Sequence, residues 1–374
     1  MPWYNDLRPK NDENKKDFAL VFPDMKISEK KRCIRKILEL RQAISQEVSP
    51  KKTDGNLLIS SWNIKEFGHN TQRLAESYFY IAEILNAFDL IIVQEIKSSL
   101  KDLEIVMRLL GSDWDYLIND ITEGNDGNSE RSAYIYNKKR VQFAGLAGEI
   151  TFRAELSTGS SVKQLKRAPY ITGFTSGWKK FAIINLHLQP GGTPANLKRR
   201  KKEIQLLHDA MKEKIEKDRL WSENLILAGD MNLYHSTPTK VMDAPSIKLI
   251  NDADFVELTS LVGKDTNASK SQAYDRMFFH VNKFFKIKLD NSGNEIGGVF
   301  DFFDHIYTPS ERGTYKTAMI KAYTGIKDMT DANNLNKYYT NTWKRNQISD
   351  HFPIWAEIIT DSSEDFLKEK LNEL

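Results

Sequence analysis

Short apolar segments alternate with longer amphipathic segments along most of the chain from residue 56 onward. The short segments are rich in β-branched and aromatic residues, which favours strands over helices. In the longer segments apolar residues recur at helical spacing. Strands that alternate with helices early and dominate later predict an α/β domain with mixed sheets. The predicted strands are residues 57–64, 89–96, 132–137, 180–188, 224–230, 274–281 and 351–359, and the predicted helices are residues 28–47, 71–87, 99–110 and 194–217.

Capping signals and irregular segments divide the chain further. Ser28 is the predicted N-cap of the first helix, whose apolar face opposes a face rich in Lys and Arg. Thr193 and Pro194 are a cap residue and a first-turn proline for the fourth helix. The predicted organisation is residues 1–54 for a polar arm and basic helix, 55–361 for the α/β domain with an elaborated surface loop at 305–345, and 362–374 for a helical tail.

Composition restricts the class of protein. Of 374 residues, 40% are hydrophobic and 28% are charged, which is ordinary for a globular domain with a sizeable core. The net charge of +3 does not by itself indicate a polyanionic partner. The single cysteine, Cys33, excludes an internal disulfide framework. The first residues lack the apolar core of a secretory signal, and no apolar run is long enough to span a membrane, so we expect a cytoplasmic protein.

Polar side chains with catalytic potential stand where the predicted strands begin or end. Each of them alone has an ordinary explanation, because Asp and Asn favour turns. Together they are harder to explain in that way, since the strand ends of an α/β sheet are where ligands bind. The residues are Asn63, Glu95, His187, Asp230, Asn232, Asp275, Asp350 and His351.

The residue types fit one chemistry. The carboxylates of Glu95, Asp230 and Asp350 are hard oxygen ligands suited to Mg²⁺, Mn²⁺ or Ca²⁺. Asn63 and Asn232 can donate N–H groups to phosphate oxygens, and the two imidazoles can transfer protons near neutral pH. The sequence has no Cys/His cluster of the kind that binds zinc, and no GXXXXGK(S/T) loop of a P-loop NTPase.

A series of motifs in this order resembles the endonuclease/exonuclease/phosphatase superfamily, and within it most of all the deoxyribonuclease I branch. The resemblance covers residues 56 to 360 and implies a four-layered α/β/β/α sandwich of two packed mixed sheets, with the site at one edge of both sheets. The motifs are WNIKEFG, FDLIIVQEIKSSL, SERSAYIYNKKRV, FAIINLHLQPGG, LILAGDMN, AYDRMFF and ISDHFPIW.

The resemblance also implies a role for each matching residue. Glu95, Asp350 and Asn63 would hold the divalent metal ion, Mg²⁺ or Mn²⁺ with Ca²⁺ as a further possibility. Glu130 would pair with His187 and Asp275 with His351, which gives two carboxylate–imidazole pairs for acid and base catalysis. Asp230 and Asn232 would orient the nucleophile and stabilise the phosphate. The residues leave open which imidazole is the acid and which is the base.

Contacts to substrate are implied at fewer positions. Arg167 matches a phosphate-contacting arginine, Thr266 matches a phosphate-contacting threonine, and Lys97 and Asn128 replace an arginine and a tyrosine of the family. The basic run 197–203 is either a solvated helix face, which is slightly favoured, or a phosphate-binding stripe. Trp343 and Tyr338–Tyr339 either stack on bases or cap the core. Asp304–His305 resembles the Asp350–His351 pair without the strand that should follow it. The residues of the stripe would be Lys198, Arg199 and Arg200.

These implications give one principal function and two alternatives. The principal hypothesis is a divalent-metal-dependent DNA endonuclease with nucleic acid as its partner and no contact with a membrane. The second is a phosphatase or phosphodiesterase that acts on a small phosphoester or a lipid head group. The third, a binding protein with a degenerate site, is disfavoured because the set of site residues is intact. The sequence does not specify the oligomeric state.

Overall fold

Two six-stranded mixed sheets form the centre of the computed structural model, which describes residues 2–9, 21–52, 55–69, 72–121, 129–153, 162–237, 240–241 and 243–374. The strands are β1 Asn56–Phe67, β2 Leu90–Ile96, β3 Trp114–Ile118, β4 Arg131–Asn137, β5 Gln142–Glu149, β6 Tyr170–Ser176, β7 Lys179–His187, β8 Leu225–Asp230, β9 His235–Thr237, β10 Lys240–Val241, β11 Val256–Glu257, β12 Asp275–His280, β13 Gly297–Val299 and β14 Ile354–Ile359.

Helices cover the outer faces of both sheets. The helices of the described residues are α1 Ile27–Glu47, α2 Ala75–Asn86, α3 Lys101–Leu110, α4 Pro194–Glu216, α5 Ala244–Asn251, α6 Lys316–Ala322, α7 Ala332–Tyr338, α8 Lys344–Gln347 and α9 Ser363–Glu373, of which α9 buries none of its residues. None of the helices in the described part of the chain combines the length and the apolar character that a membrane crossing needs.

The strand order of the first sheet is β13-β14-β1-β2-β4-β3, and that of the second is β11-β12-β8-β7-β6-β5. β1 pairs in parallel with β2, and β7 pairs in parallel with β8, while the other neighbours in both sheets are antiparallel. Each sheet therefore has a central parallel pair, which reflects the strand–helix–strand segments 56–96 and 179–230.

Alternation of side chains along the strands creates three hydrophobic layers. In β1, Leu57 and Ile59 face a core shared with Ile183 and Ile226 of the second sheet, so the two sheets pack directly on each other. Leu58 points to the opposite face, where helices α1, α2 and α3 pack. The outer face of the second sheet packs against α4 and α5. The predicted α/β/β/α sandwich is confirmed.

Two predictions about the ends of elements differ in outcome. Thr193 caps α4 as predicted, because its Oγ1 accepts the Asn196 N–H at 3.4 Å and Pro194 occupies the first turn. Ser28 does not cap α1, which begins one residue earlier, and the Glu29 carboxylate instead accepts the Lys26 N–H at 2.8 Å. A glutamate in the first turn therefore closes this helix end where the sequence suggested a serine.

The prediction of an elaborated surface loop at 305–345 is wrong, because this segment contains helices and buries aromatic rings. Trp343 is fully buried, with its ring centroid 5.5 Å from that of Tyr307, 4.9 Å from that of Tyr315 and 5.7 Å from that of Tyr339. These rings join the core on the helical face of the first sheet. Trp343 and Tyr339 therefore cap the core, and neither can stack on bases.

Candidate active site

The strand pairing brings the predicted site residues to one edge of both sheets. His187 is the register partner of Asp230 across β7 and β8, and Asp230 is the register partner of Asp275 across β8 and β12. In the first sheet β1 and β2 run parallel, so Asn63 and Glu95 leave the sheet at the same edge. The antiparallel β12 starts where the parallel strands end. The site is thus a consequence of topology, since strand ends of both sheets converge there.

Asp230 is the centre of this arrangement. Its Oδ2 accepts a hydrogen bond from Asn63 Nδ2 at 3.0 Å and lies 3.5 Å from His187 Nε2 and 3.8 Å from His351 Nε2. Its Oδ1 accepts the Asn232 N–H at 3.0 Å. A single buried carboxylate, 2% exposed, therefore faces both imidazoles.

His351 is oriented by a buried carboxylate. Its Nδ1 lies 2.8 Å from Asp275 Oδ2, and the same oxygen accepts the Thr266 hydroxyl at 2.7 Å. Burial lowers the pKa of His351, but the charges of Asp275 and Asp230 outweigh burial and hold that pKa well above its usual value. The tautomer with a proton on Nδ1 leaves Nε2, the nitrogen that faces Asp230, to exchange protons.

His187 is oriented by a second carboxylate, which two cations flank. Glu130 Oε2 lies 3.2 Å from His187 Nδ1 and accepts the Arg167 Nε–H at 2.6 Å, and its Oε1 accepts from Lys97 Nζ at 2.9 Å. Burial raises the pKa of Glu130, but the hydrogen bond and charge of His187 and the Arg167 guanidinium outweigh burial and hold that pKa well below its usual range. Glu130 is therefore ionised at neutral pH.

Further carboxylates could hold a divalent metal ion. Glu95 and Asp350 line the same pocket as the two imidazoles, and their oxygens are the donors that hard divalent cations prefer. Asn63 Oδ1 is buried and finds no hydrogen-bond partner among the described residues, while Asn63 Nδ2 donates to Glu95 Oε1 at 3.0 Å. An amide nitrogen cannot ligate a cation, so the observed contacts of Asn63 orient Glu95 and Asp230. The donor set fits a divalent cation.

A second group also has metal-like spacing. Within the described residues, ligand atoms of Asp230, Asp275 and His351 all lie within 4.8 Å of one another. Asp275 Oδ2, however, already accepts from Thr266 and pairs with His351. This group therefore has the internal bonding of a proton-transfer site, and Glu95 with Asp350 remains the better candidate for the metal.

The pocket between these groups has a volume of about 270 Å³. Most of the residues predicted for the site line it, and so do some that sequence reasoning did not select. The predicted residues are Glu95, Lys97, Glu130, Arg167, His187, Asp230, Asn232, Asp350 and His351, and the others are Lys65, Glu66 and Pro190.

Comparison with known proteins finds relatives of this chain among the deoxyribonucleases. No protein-family model matches the chain. Deoxyribonuclease-1 of Gallus gallus is 27% identical over 231 residues, which are 59% of this chain and 76% of the relative. Deoxyribonuclease gamma of Mus musculus is 27% identical over 261 residues, which are 66% of this chain and 76% of the relative. These similarities support the resemblance to the DNase I-like branch of the endonuclease/exonuclease/phosphatase superfamily.

A solved structure of an endonuclease/exonuclease/phosphatase family protein from Bacteroides thetaiotaomicron is also similar to this chain. It is 17% identical, with 82% of this chain and 98% of that chain covered, and the TM-score is 0.49.

Two residues predicted to bind substrate have other partners in the structure. Arg200 is fully buried: its Nη2 lies 2.8 Å from Asp243 Oδ2, and its Nη1 donates to the Gln189 carbonyl at 2.5 Å. The prediction for Arg200 is wrong, because this arginine lies on the inner face of α4 and fastens the loop after β7. Thr266 is fully buried as well and donates to Asp275, so its hydroxyl positions that carboxylate and does not contact phosphate.

The remaining predicted contacts have mixed positions. Lys198 is exposed and Arg199 half-buried on α4, and neither lines the pocket. Lys97 and Arg167 do line it, but both also neutralise Glu130. Asn128 lies outside the described residues. Asp304–His305 is not part of the site, since His305 Nε2 lies 2.8 Å from Glu47 Oε1 at the end of α1.

Sequence reasoning missed two residues that shape the site. Lys65 lines the pocket, and its signal was available because it follows Asn63 by two positions on a strand and so points to the same side. Glu203 of α4 is fully buried, and its two oxygens accept the Lys166 N–H at 2.9 Å and the Gln189 N–H at 2.8 Å. It thereby connects the loop that carries Arg167 to the loop after His187. A glutamate within a helix rich in charges gives no such signal.

Unusual backbone conformations cluster at this edge. Glu95 has φ of 63° and Asn232 has φ of 50°, in the left-handed region that non-glycine residues rarely adopt. Gly229 has φ of 143°, and a Cβ there would lie 2.0 Å from the Leu186 carbonyl oxygen. Such strain at strand ends persists where the surrounding structure fixes it, as it does at functional sites.

Proposed function

We propose that this phosphoester hydrolase is a divalent-cation-dependent DNA endonuclease. The observation that carries the proposal is the meeting of two carboxylate–imidazole pairs at one buried carboxylate, Asp230, beside the acidic residues Glu95 and Asp350. The sequence similarity to deoxyribonucleases supports nucleic acid, and DNA in particular, as the substrate class.

Phosphodiester hydrolysis needs a base for the attacking water and an acid for the leaving oxygen. His187 and His351 supply these two functions, and Glu130 and Asp275 fix the ring orientation and tautomer of each imidazole. Asp230 lies between the two Nε2 atoms, where its carboxylate can orient the attacking water. Each proton-transfer group contributes about 10²- to 10⁴-fold to the rate.

Charge on the phosphate is balanced by cations from the protein and from solution. Glu95 and Asp350 would hold the divalent ion, which supplies Lewis-acid stabilisation of the phosphate charge when bound. Arg167 and Lys97 line the same pocket and place positive charge beside the phosphate. Asn232 is held by its N–H bond to Asp230, and its side-chain amide donates to the Leu188 carbonyl at 3.3 Å.

The test is nicking of supercoiled plasmid in Mg²⁺ or Mn²⁺. We expect the wild-type protein to nick the plasmid, and we expect His351→Ala and Asp230→Ala each to lower the rate by at least about 10²-fold. A panel of phosphomonoesters and sphingomyelin tests the other substrate class in parallel. Turnover of a small phosphoester without nicking would reject the endonuclease, and full activity of either variant would reject the assignment of the site.

We propose further that Lys198 and Arg199 on α4 contribute to binding of the DNA backbone. Both lie near the start of α4, which follows the loop at Pro190 that lines the pocket, and Lys198 is exposed. Each phosphate contact that is lost should lower the slope of log K against log salt by about 0.9. Lys198→Glu should therefore weaken DNA binding and flatten its salt dependence, while Lys212→Glu, farther along the same helix, should not. An unchanged slope would show that Lys198 belongs to a solvated face only.

A further inference from the structure

Lys65 contacts one of the two carboxylates that the proposed function gives to the divalent cation. Its ammonium Nζ lies 3.0 Å from Asp350 Oδ2, and the two side chains are 28% and 32% exposed. Both residues line the pocket that contains His187 and His351. The position is therefore at the site and only partly screened by solvent.

The backbone around Lys65 is fixed, so the contact does not depend on a loose chain end. The Lys65 N–H donates to Ser349 Oγ at 3.2 Å, and its carbonyl accepts from Arg73 Nη2 at 3.1 Å. Arg73 is itself buried and lies 2.5 Å from the Asp102 carboxylate.

The next residue reaches the other acidic candidate. The Glu66 N–H donates to Glu95 Oε2 at 3.0 Å, with φ of 45° at Glu66. One short segment at the end of β1 thus contacts both candidate metal ligands. To Glu95 it offers a neutral N–H, and to Asp350 it offers a full positive charge.

We propose that Lys65 sets the affinity of the site for its divalent cation by competing with the cation for Asp350. This inference rests on the proposed function. An ammonium and a divalent ion that share one carboxylate repel each other. The ammonium also neutralises part of the carboxylate charge, so the carboxylate attracts the ion less strongly. Lys65 therefore acts through Asp350, and its charge lowers the affinity of the site for the ion.

The experiment measures binding of Mn²⁺ alone to the full chain, without DNA, by calorimetry and by the electron paramagnetic resonance of free Mn²⁺. We expect Lys65→Met to bind Mn²⁺ roughly two- to tenfold more tightly than the wild type at low salt, because one competing charge is gone. The difference should shrink at high salt as screening increases. Lys65→Gln is the second neutral variant, in case Lys65→Met does not fold.

Two control variants and two contrary outcomes test the inference. Lys65→Arg keeps the charge and should bind Mn²⁺ as the wild type does, and Lys212→Met removes an exposed charge on α4 and should also leave binding unchanged. Equal or weaker binding by the neutral Lys65 variants would overturn the inference while leaving the proposed function intact. A further contrary result is that the wild type binds no Mn²⁺, or that Glu95→Gln binds it as well as the wild type does. Either result would reject the metal dependence in the proposed function, and the inference would fail with it.

Discussion

Glu130→Gln is a substitution that probes several contacts of the site at once. The carboxylate accepts from Arg167 Nε at 2.6 Å and from Lys97 Nζ at 2.9 Å, and it lies 3.2 Å from His187 Nδ1. Glutamine has nearly the same shape, but its amide nitrogen can only donate. In either orientation the amide would face a cation or the imidazole with a donor. The substitution therefore removes the charge and one acceptor while it keeps the volume.

The magnitude follows from burial. Glu130 is 4% exposed, and the side chains of Lys97 and Arg167 are 12% and 9% exposed. Removing one partner of a mostly buried ion pair costs about 3–5 kcal/mol, because the remaining charges stay desolvated. The catalytic cost is separate: an imidazole without its orienting carboxylate loses the correct tautomer, and the rate should fall by about 10²- to 10⁴-fold.

The stability difference between wild type and Glu130→Gln should depend on pH. Because the pKa of Glu130 is lower in the folded than in the unfolded protein, its contribution to stability is complete above the unfolded pKa, near 4.5. The contribution is lost as the pH falls from there through the folded pKa. We therefore expect the largest difference in unfolding free energy at neutral pH, and we expect the two proteins to converge in acid.

The measurement is urea unfolding, followed by tryptophan fluorescence at several pH values, together with plasmid nicking at pH 7. Glu364→Gln is the matched control, because Glu364 pairs with Lys368 on the exposed helix α9, and we expect no measurable change there. A difference between wild type and Glu130→Gln that stays constant from pH 7 to pH 3 would refute the argument from the ionised carboxylate. Unchanged nicking would refute the role of Glu130 in orienting His187.

Two further substitutions test corrections that the structure made to the sequence predictions. Thr266→Val should lower the nicking rate by about 10- to 10²-fold, because a hydrogen bond to a charged group such as the Asp275 carboxylate is worth about 1.5–3 kcal/mol. Thr266→Ser should restore most of the rate, and equal rates for both variants would contradict this. Trp343→Ala should destabilise the fold by about 3–5 kcal/mol in urea unfolding while the folded fraction nicks plasmid at the wild-type rate, and a loss of DNA binding without a loss of stability would instead support base stacking.

The parts of the site that depend on hydrophobic periodicity and on strand ends can be predicted from the sequence. Asn63, Glu95, His187 and Asp230 each end an apolar run, and parallel strands deliver their ends to one edge, so their meeting follows from the pattern. The fold class follows from the same alternation of strands and helices. No property of one strand alone, however, places Asp230 beside both imidazoles, because that position depends on the register of β7, β8 and β12.

The features that could not be predicted from the sequence depend on contacts between residues that are distant along the chain. Arg200 stands in a basic run, and only its partner Asp243 on a different segment shows that it faces inward. Thr266 is nine residues before Asp275 and is brought to it by a turn. Trp343 is surrounded by polar residues in sequence, whereas two of its aromatic neighbours, Tyr307 and Tyr315, lie on earlier segments of the chain. Side chains with an ordinary local pattern are buried here by tertiary packing, which single-sequence periodicity does not encode.

The electrostatics of the pocket also bear on the proposed binding of DNA. Lys97 and Arg167 face the pocket, but their charges are largely used to neutralise Glu130, and Lys65 is paired with Asp350. A phosphate that enters therefore meets cations already bonded to carboxylates, and its gain from them is reduced. Sequence-independent affinity for DNA would then have to come from outside the pocket, where Lys198 is exposed in the helix that follows the loop at Pro190. If the charges are divided in this way, neutralising Lys198 should change the affinity for DNA more than the nicking rate at saturating DNA. Substitutions at Glu130 should instead change the nicking rate more than the affinity for DNA.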